Sequence, residues 1–510
     1  EIPKRDWSSD VCSSDLYQYT LARQPRHVDA MNNLGIALAM KGRTDEAVAK
    51  FEEALRFDAT HSSALLQNGD DLSLLTCADG SVSPVKTSAG EKAEASLSPD
   101  GRKIAFVRGN NLFLVDVRSG RETAVTSDGS AKIHNGTMDW VYEEEVYGRG
   151  TTRAYWWSPD SSRVAFLRID DTPVSSYVTL DDISYDPKVE TWLYPRAGDP
   201  NPTVRLGVVS AGGSNVQWAD LSKYRSDDML LVRVAWTPTN QLVYEVENRT
   251  QSWIDLNVSG KTLFHEESKY WINAEDQTTP TWLNDGSFLW LSSRTGFPHL
   301  YHYKADGTLI GAVTSGRWEV RDVYGVDEPN GWVYFGATER SPIGEDIYRI
   351  KIAGTGLERL SQAAGTHAAG FSPSFAYYID RASTVMSPAQ ARLYRADGRE
   401  VRVVHANVVD AFAEFALSTP EFVQVKTRDG FTMEAMMIKP PDFDPRRKYP
   451  VYQFTYGGPH AQQVRNAWNL QTMYHQLLAQ KGVIVWICDN RSRSEEHTSE
   501  LQSRFGISYA

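Results

Sequence analysis

The sequence predicts a mainly β chain: a β-propeller of about seven or eight blades, preceded by a short α-helical repeat and followed by the opening of an α/β domain. Three observations predict it. Short apolar strands recur from about residue 80 to 415, several behind a similar turn-forming lead-in. One helical hairpin pattern stands before them at 28–61. After 415 the text changes to strands, one helix and a continuous apolar strand.

A chain of 510 residues has room for about two to four domains. Hydrophobic residues make up 41%, with 15 Trp and 24 Tyr, enough for real cores. Lys and Arg total 53 against 65 Asp and Glu, a net charge of -12. That balance argues against a general nucleic-acid surface, because phosphate binding needs a basic patch. Cys12, Cys77 and Cys488 lie far apart and spell neither a disulfide framework nor a CxxC metal knuckle. The 11 histidines include no HExxH, so neither a metal nor a cofactor is expected. No run of 18 apolar residues predicts a membrane span, and EIPKRDWSSD does not read as a signal peptide.

Taking the elements in order, residues 28–61 place Leu34, Gly35, Leu38, Ala47, Phe51, Ala54 and Leu55 at helical spacings. MKGRTDEA supplies a Gly-containing turn between two helices. Small Gly35 and Ala54 would let the helices approach closely, as in a tetratricopeptide repeat; an ordinary helical hairpin is the alternative. The segment is set at 18–66. One such unit cannot bury its own apolar faces, so no array is predicted.

From 80 to 415 come GRKIAFVRGNNLFLVDVRSG (101–120), SSRVAFLRID (161–170), NQLVYEVEN (240–248), GSFLWLSSRTG (286–296) and GWVYFGATE (331–339). Each is β-branched or aromatic, with tight Gly, Asn or Asp punctuation. The lead-ins are LSPDG (97–101), WSPDS (157–161), WTPTN (236–240), WLNDG (282–286) and FSPS (371–374). Their irregular spacing, near multiples of roughly 40–50 residues, matches four-stranded blades with insertions. A pair of β-sandwiches is the structural alternative.

DWVYEEEVYG (139–148) sets three adjacent glutamates among Trp140, Tyr142 and Tyr147. Adjacent acids repel unless they are solvated or used. One reading is a wet acidic helix end. The other is a carboxylate pair facing a cavity, able to accept the N–H bonds of an α-amino group and neutralise its charge. The stretch IHNGTMDWVYEEEVYGRGTTRAYWWSPDSSRVAFLRIDD (133–171), with YDPKVETWLYPRAGDPNPTVRLGVV (185–209), resembles dipeptidyl peptidase IV and its bacterial relatives. The resemblance covers roughly residues 90–491. It implies that Glu144 and Glu145 cap the free N-terminus of a peptide substrate. Those relatives also use an arginine upstream of the matching stretch, and no residue of this chain is assigned to that role.

After 415, FVQVKTRDGFTMEAMMIKPPDF reads as two strands about a DG turn, and KYPVYQFTYGGP as a buried strand ending in a Gly-Gly-Pro loop. NLQTMYHQLLAQKG is an amphipathic helix with a Gly stop, and VIVWICD a strand of a helix-covered sheet. This text resembles the opening of the α/β-hydrolase domain of the prolyl oligopeptidase family. Read alone, Tyr456 is a loop aromatic plugging a core. The resemblance makes it an oxyanion-hole donor, positioned by Gly457, Gly458 and Pro459. No GxSxG occurs in the 510 residues, and the Ser, Asp and His of a triad are expected beyond Arg491. Ser158 and Ser372 occupy turn motifs, and nothing marks His460 as a base.

The ends read differently. RSEEHTSELQS (493–503) looks like the translation of a common short-read sequencing adapter, and DWSSDVCSSDL (6–16) like the same adapter family on the opposite strand. Residues 1–17 and 492–510 are therefore expected to be artefactual, and the helical repeat either fused by misassembly or natural. The organisation expected is a helical repeat at 18–66, a propeller at 80–415 and a truncated α/β-hydrolase start at 416–491.

The functional expectation is a fragment of a serine-type dipeptidyl peptidase, inactive for want of its triad. Its partners would be peptides with a free N-terminus, without nucleic acid or membrane span. The full-length parent would be bacterial, periplasmic or secreted, with room for a homodimer. The alternative is a non-catalytic interaction protein built from the repeat and the propeller.

Overall fold

The computed structural model describes residues 63–490, except 69, 77–80, 182, 184, 214, 270, 275–277 and 457–460. The two terminal runs lie outside the described residues, as does the expected helical repeat up to residue 62. Residues 63–66 do not continue that repeat. Strand Ser63–Asn68 pairs antiparallel with Asp71–Thr76, which pairs with Val82–Pro84. Strand structure thus starts well before the expected residue 80. The reason is burial: Leu72 and Leu74 join a core with Ile104, Phe106 and Val115. Leu65 and Leu74, directly opposite across the strand pair, face that core and fix the pairing.

The described residues form two compact units. One runs to Arg249 and includes Asn257–Lys261; the other comprises Thr250–Leu256 and the residues from Thr262 on. The first holds the three-stranded sheet, a four-stranded sheet at 93–124 and a five-stranded sheet drawn from 133–218. A separate two-stranded hairpin joins Ser176–Asp181 to Lys188–Leu193. The chain also forms a four-stranded sheet at 229–267. The second unit holds four-stranded sheets at 281–312, 320–359 and 366–405. Each four-stranded sheet named so far is a meander of consecutive antiparallel strands, the unit from which propellers are built.

The repeated lead-ins are one turn used five times. In each, the residue after the leading Leu97 or aromatic bonds across the hairpin: Ser98 to Lys103, Ser158 to Arg163, Thr237 to Gln241, Leu283 to Ser287 and Ser372 to Tyr377. Three residues later the backbone turns back to it, from Gly101, Ser161, Asn240, Gly286 and Phe375, all with positive φ. Gly and Asn meet that demand cheaply, whereas Phe375 at φ 51° is held there by its surroundings. Its ring packs against Phe371 and Tyr334.

The sheet after 420 is of another kind. Its order is Glu421–Lys426, Thr432–Ile438, Ile484–Cys488, Val451–Phe454. Val451–Phe454 and Ile484–Cys488 are parallel, so the chain must cross over between them. It does so through the α-helix Thr472–Gln480. Ala479 of that helix packs on Met436, Ile438, Val485 and Ile487. The continuous apolar run at 483–489 is explained by this position, because the strand has neighbours on both edges and a helix on one face.

Candidate functional site

The acidic segment is an excursion between strands Ile133–Asn135 and Tyr155–Trp157, both paired with Arg163–Asp170. A bridge between Thr137 and Arg153 closes its base, and Met138 donates to the carbonyl of Thr152 at 2.8 Å. The excursion starts at Asp139, whose carboxylate accepts from the backbone N–H groups of Val141 (2.9 Å) and Tyr142 (3.1 Å). Those are orphan donors of a helix start, and an acid satisfies them well. Burial, and then the nearby charge of Asp171, push the Asp139 carboxyl up to about 6.

The next residues make a wide single turn, Tyr142–Val146, closed by the N–H of Tyr147 on the carbonyl of Tyr142 at 2.9 Å. Such i→i+5 turns are rare and concentrate at functional sites. Tyr142 and Val146 point inward, while Glu143 and Glu144 are half-buried and Glu145 is exposed. The turn therefore turns its acids outward from a fixed apolar base. Tyr142 is fully buried, and its hydroxyl accepts from the N–H of Leu231 at 3.4 Å. Trp140 packs on Tyr194, which packs on Tyr177 at the base of the two-stranded hairpin.

Three charged residues that the sequence did not single out complete the surroundings. Arg149 donates to Glu144 through Nε, at 2.9 Å to Oε2, and through Nη2 to Oε1. This pair holds the Glu144 carboxyl below its usual range. Next to it, the N–H of Gly150 donates to Glu143 Oε1 at 3.2 Å. Beneath the turn, Arg233 donates to the carbonyl of Val146 at 2.8 Å, its guanidinium 5.1 Å from the centre of the Tyr147 ring. Arg233 lies directly across the strand pair from Glu245. Glu245 is fully buried, and neither carboxylate oxygen has a hydrogen bond. Burial pushes its carboxyl up to about 8, with Arg233 pulling the other way. The only sequence signal for Arg149 was its place between two glycines. Arg233 and Glu245 read as ordinary strand residues, since their pairing depends on register.

Tyr456 lies in the second unit, two residues past the parallel strand Val451–Phe454, and its side chain is about half exposed. Gly457, Gly458, Pro459 and His460 lie outside the described residues. The chain beyond them is tightly held. Buried Asp489 accepts from the N–H groups of Gln463 (3.0 Å) and Val464 (2.8 Å). Asn466 bonds Ile343 and Val385. Ser158 and Ser372 are turn residues: the N–H of each caps its own hairpin. Glu144 and Glu145 belong to one unit and Tyr456 to the other.

Set against known families, residues 67–389 match the model described as the dipeptidyl peptidase IV (DPP IV) N-terminal region. The chain belongs to the dipeptidyl peptidase IV family. A tetratricopeptide repeat model matches residues 16–49, so this family member carries a tetratricopeptide-like region at its N-terminus. The probable dipeptidyl peptidase 4 of Aspergillus clavatus is 30% identical over 430 residues, 79% of this chain and 55% of that one. Dipeptidyl peptidase 4 of Trichophyton rubrum is 27% identical over 470 residues, 85% and 59% of the two chains. The crystal structure of Porphyromonas gingivalis dipeptidyl peptidase 4 superposes with a TM-score of 0.75 at 31% identity, over 85% of this chain and 62% of that one. The dipeptidyl peptidase IV homologue described here thus spans little more than half the length of these curated relatives. Among the described residues, no helix is long and apolar enough to cross a membrane.

Proposed function

We propose that this chain is the propeller and the first part of the peptidase domain of a bacterial-type, serine-type dipeptidyl peptidase. It would grip the free N-terminus of a peptide with Glu144 and Glu145. The observation that carries the reading is the wide turn that sets these two acids on a buried base inside the family-matched segment. An α-ammonium offers three N–H donors, and two neighbouring carboxylates can take all three while cancelling the charge. Seven successive antiparallel sheets among the described residues between 63 and 405, not counting the two-stranded hairpin at 176–193, support a propeller of about seven or eight blades. The parallel pair with its crossover helix supports the start of an α/β-hydrolase sheet. Leu470, Met473, Tyr474 and Leu477 present an exposed apolar stripe there, of the kind that further domain sequence would cover. Tyr456 would donate its hydroxyl to the oxyanion of the tetrahedral intermediate.

Without a GxSxG nucleophile in these 510 residues, binding and hydrolysis come apart. The purified chain is expected to bind Ala-Pro-amide, to ignore its N-acetyl form, and to release nothing from an Ala-Pro reporter amide. Calorimetry with the two peptides checks the first part and a fluorogenic assay the second. Equal binding of both peptides would remove the role given to the glutamates, and turnover would remove the claim of inactivity.

The full-length parent would be exported to the periplasm or secreted, which fractionation of the source cells checks. It would also be a homodimer. Support comes from the two-stranded hairpin at 176–193, whose Val178, Leu180, Val189 and Trp192 are exposed. Val178→Asp with Leu180→Asp is expected to convert a sedimenting dimer into a monomer. A monomeric unmutated protein at tens of micromolar would refute this.

A further inference from the structure

The acidic turn is already holding a cation. Arg149 follows it by a few residues and reaches back, both ends of its guanidinium fork meeting the two oxygens of Glu144. The adjoining Gly150 N–H lies on Glu143. One short strap therefore reaches both Glu144 and Glu143. Gly148 and Gly150, at φ 92° and 89°, flank Arg149, a conformation that costs glycine little and side-chain-bearing residues much. The Arg149 side chain is 81% exposed while that of Glu144 is 25% exposed. Arg149 thus has little packing to lose by leaving, whereas the carboxylate it covers is the more enclosed partner.

We propose that Arg149 is an internal competitor for the amine subsite, bound to Glu144 when no peptide is present and displaced when an N-terminal ammonium enters. The proposal rests on the reading of Glu144 and Glu145 as the amine-binding pair. Its physical basis is charge and geometry. A bidentate guanidinium takes the best-directed lone pair of each carboxylate oxygen, which an ammonium also needs. Two cations sharing one carboxylate at close range repel each other. Displacement is the cheaper outcome, since an exposed ion pair is worth only about 1 kcal/mol or less. Arg149 therefore acts as a threshold. A full positive charge with several N–H donors can replace it, and a neutral or acylated amine cannot.

The test uses the full chain, Ala-Pro-amide as the probe and its N-acetyl form as the control. Arg149→Ala is expected to bind Ala-Pro-amide about five-fold more tightly than the unmutated protein, the most that an exposed pair would withhold. Arg149→Lys, which keeps the charge and loses the fork, is expected to fall between them. If the unmutated protein binds Ala-Pro-amide selectively but Arg149→Ala binds it equally or more weakly, the competitor role is overturned and the glutamate pair stands. If neither protein prefers the free amine to the acetylated one, or neither binds up to millimolar peptide, both fall together. The substitution lies in an exposed loop, and circular dichroism of the variants checks that the fold is unchanged.

Discussion

Replacing Glu144 and Glu145 together by glutamine is expected to weaken binding of Ala-Pro-amide by about a hundredfold, and each single replacement by about tenfold. Glutamine keeps the shape and one acceptor oxygen but removes the charge. The ammonium then faces neutral acceptors and must leave water without a counter-charge. The effect falls on the subsite and not on the fold, because the turn is held by Asp139, Tyr142, Val146 and Arg233, none of which is touched. Titration calorimetry at low salt reads the change. A double variant that binds within threefold of the unmutated protein would remove both residues from the site.

Glu245→Gln is expected to alter stability in a pH-dependent way. The Glu245 carboxyl has an ordinary value of 4.5 and is pushed up to about 8 by burial. Below its ordinary value the group is protonated in both folded and unfolded chains. As pH rises, the unfolded chain gives up the proton while the folded chain keeps it, so folding stability declines until the folded group ionises near pH 8. Between pH 6 and 9 this loss is about 2–3 kcal/mol in the unmutated protein. Asp139, pushed up to about 6, contributes in the same direction but mainly below that window. Glu245→Gln cannot ionise, so its urea midpoint is expected to fall less over the same range and to exceed that of the unmutated protein at pH 9. Parallel declines in the two proteins would show that Glu245 ionises freely in the fold. The site gives this prediction a functional side. Arg233 lies opposite Glu245 across the strands, and it also holds the carbonyl of Val146 beneath the acidic turn.

Much of the fold was legible because it is local. The lead-in turns announce themselves through Ser, Pro, Asp and Gly or Asn at fixed offsets, and all five proved to be one hairpin turn. The run at 483–489 read as a strand of a helix-covered sheet, and it is paired on both edges with the helix Thr472–Gln480 on one face. The β region was expected from residue 80, whereas among the described residues strands are already present at Ser63–Asn68 and Asp71–Thr76. Leu72 and Leu74 form a strand there only because a core containing Phe106 receives them, and no window of sequence contains that core.

The candidate site divides in the same way. Glu144 and Glu145 were legible because three adjacent acids among aromatics are costly and call for a purpose, and because a family resemblance named one. The motif by itself determined which residues carry the negative charge; the peptide amine as their partner is what the family resemblance implies, and it stands as the proposal. Only the tertiary structure decided that the acids ride on a wide turn with a buried base, that Arg149 occupies Glu144, and that Arg233 and Glu245 face each other beneath. Those relations depend on strand register and on a loop folding back, and contacts of that kind are chosen by the packing of the whole sheet rather than by neighbours in the chain.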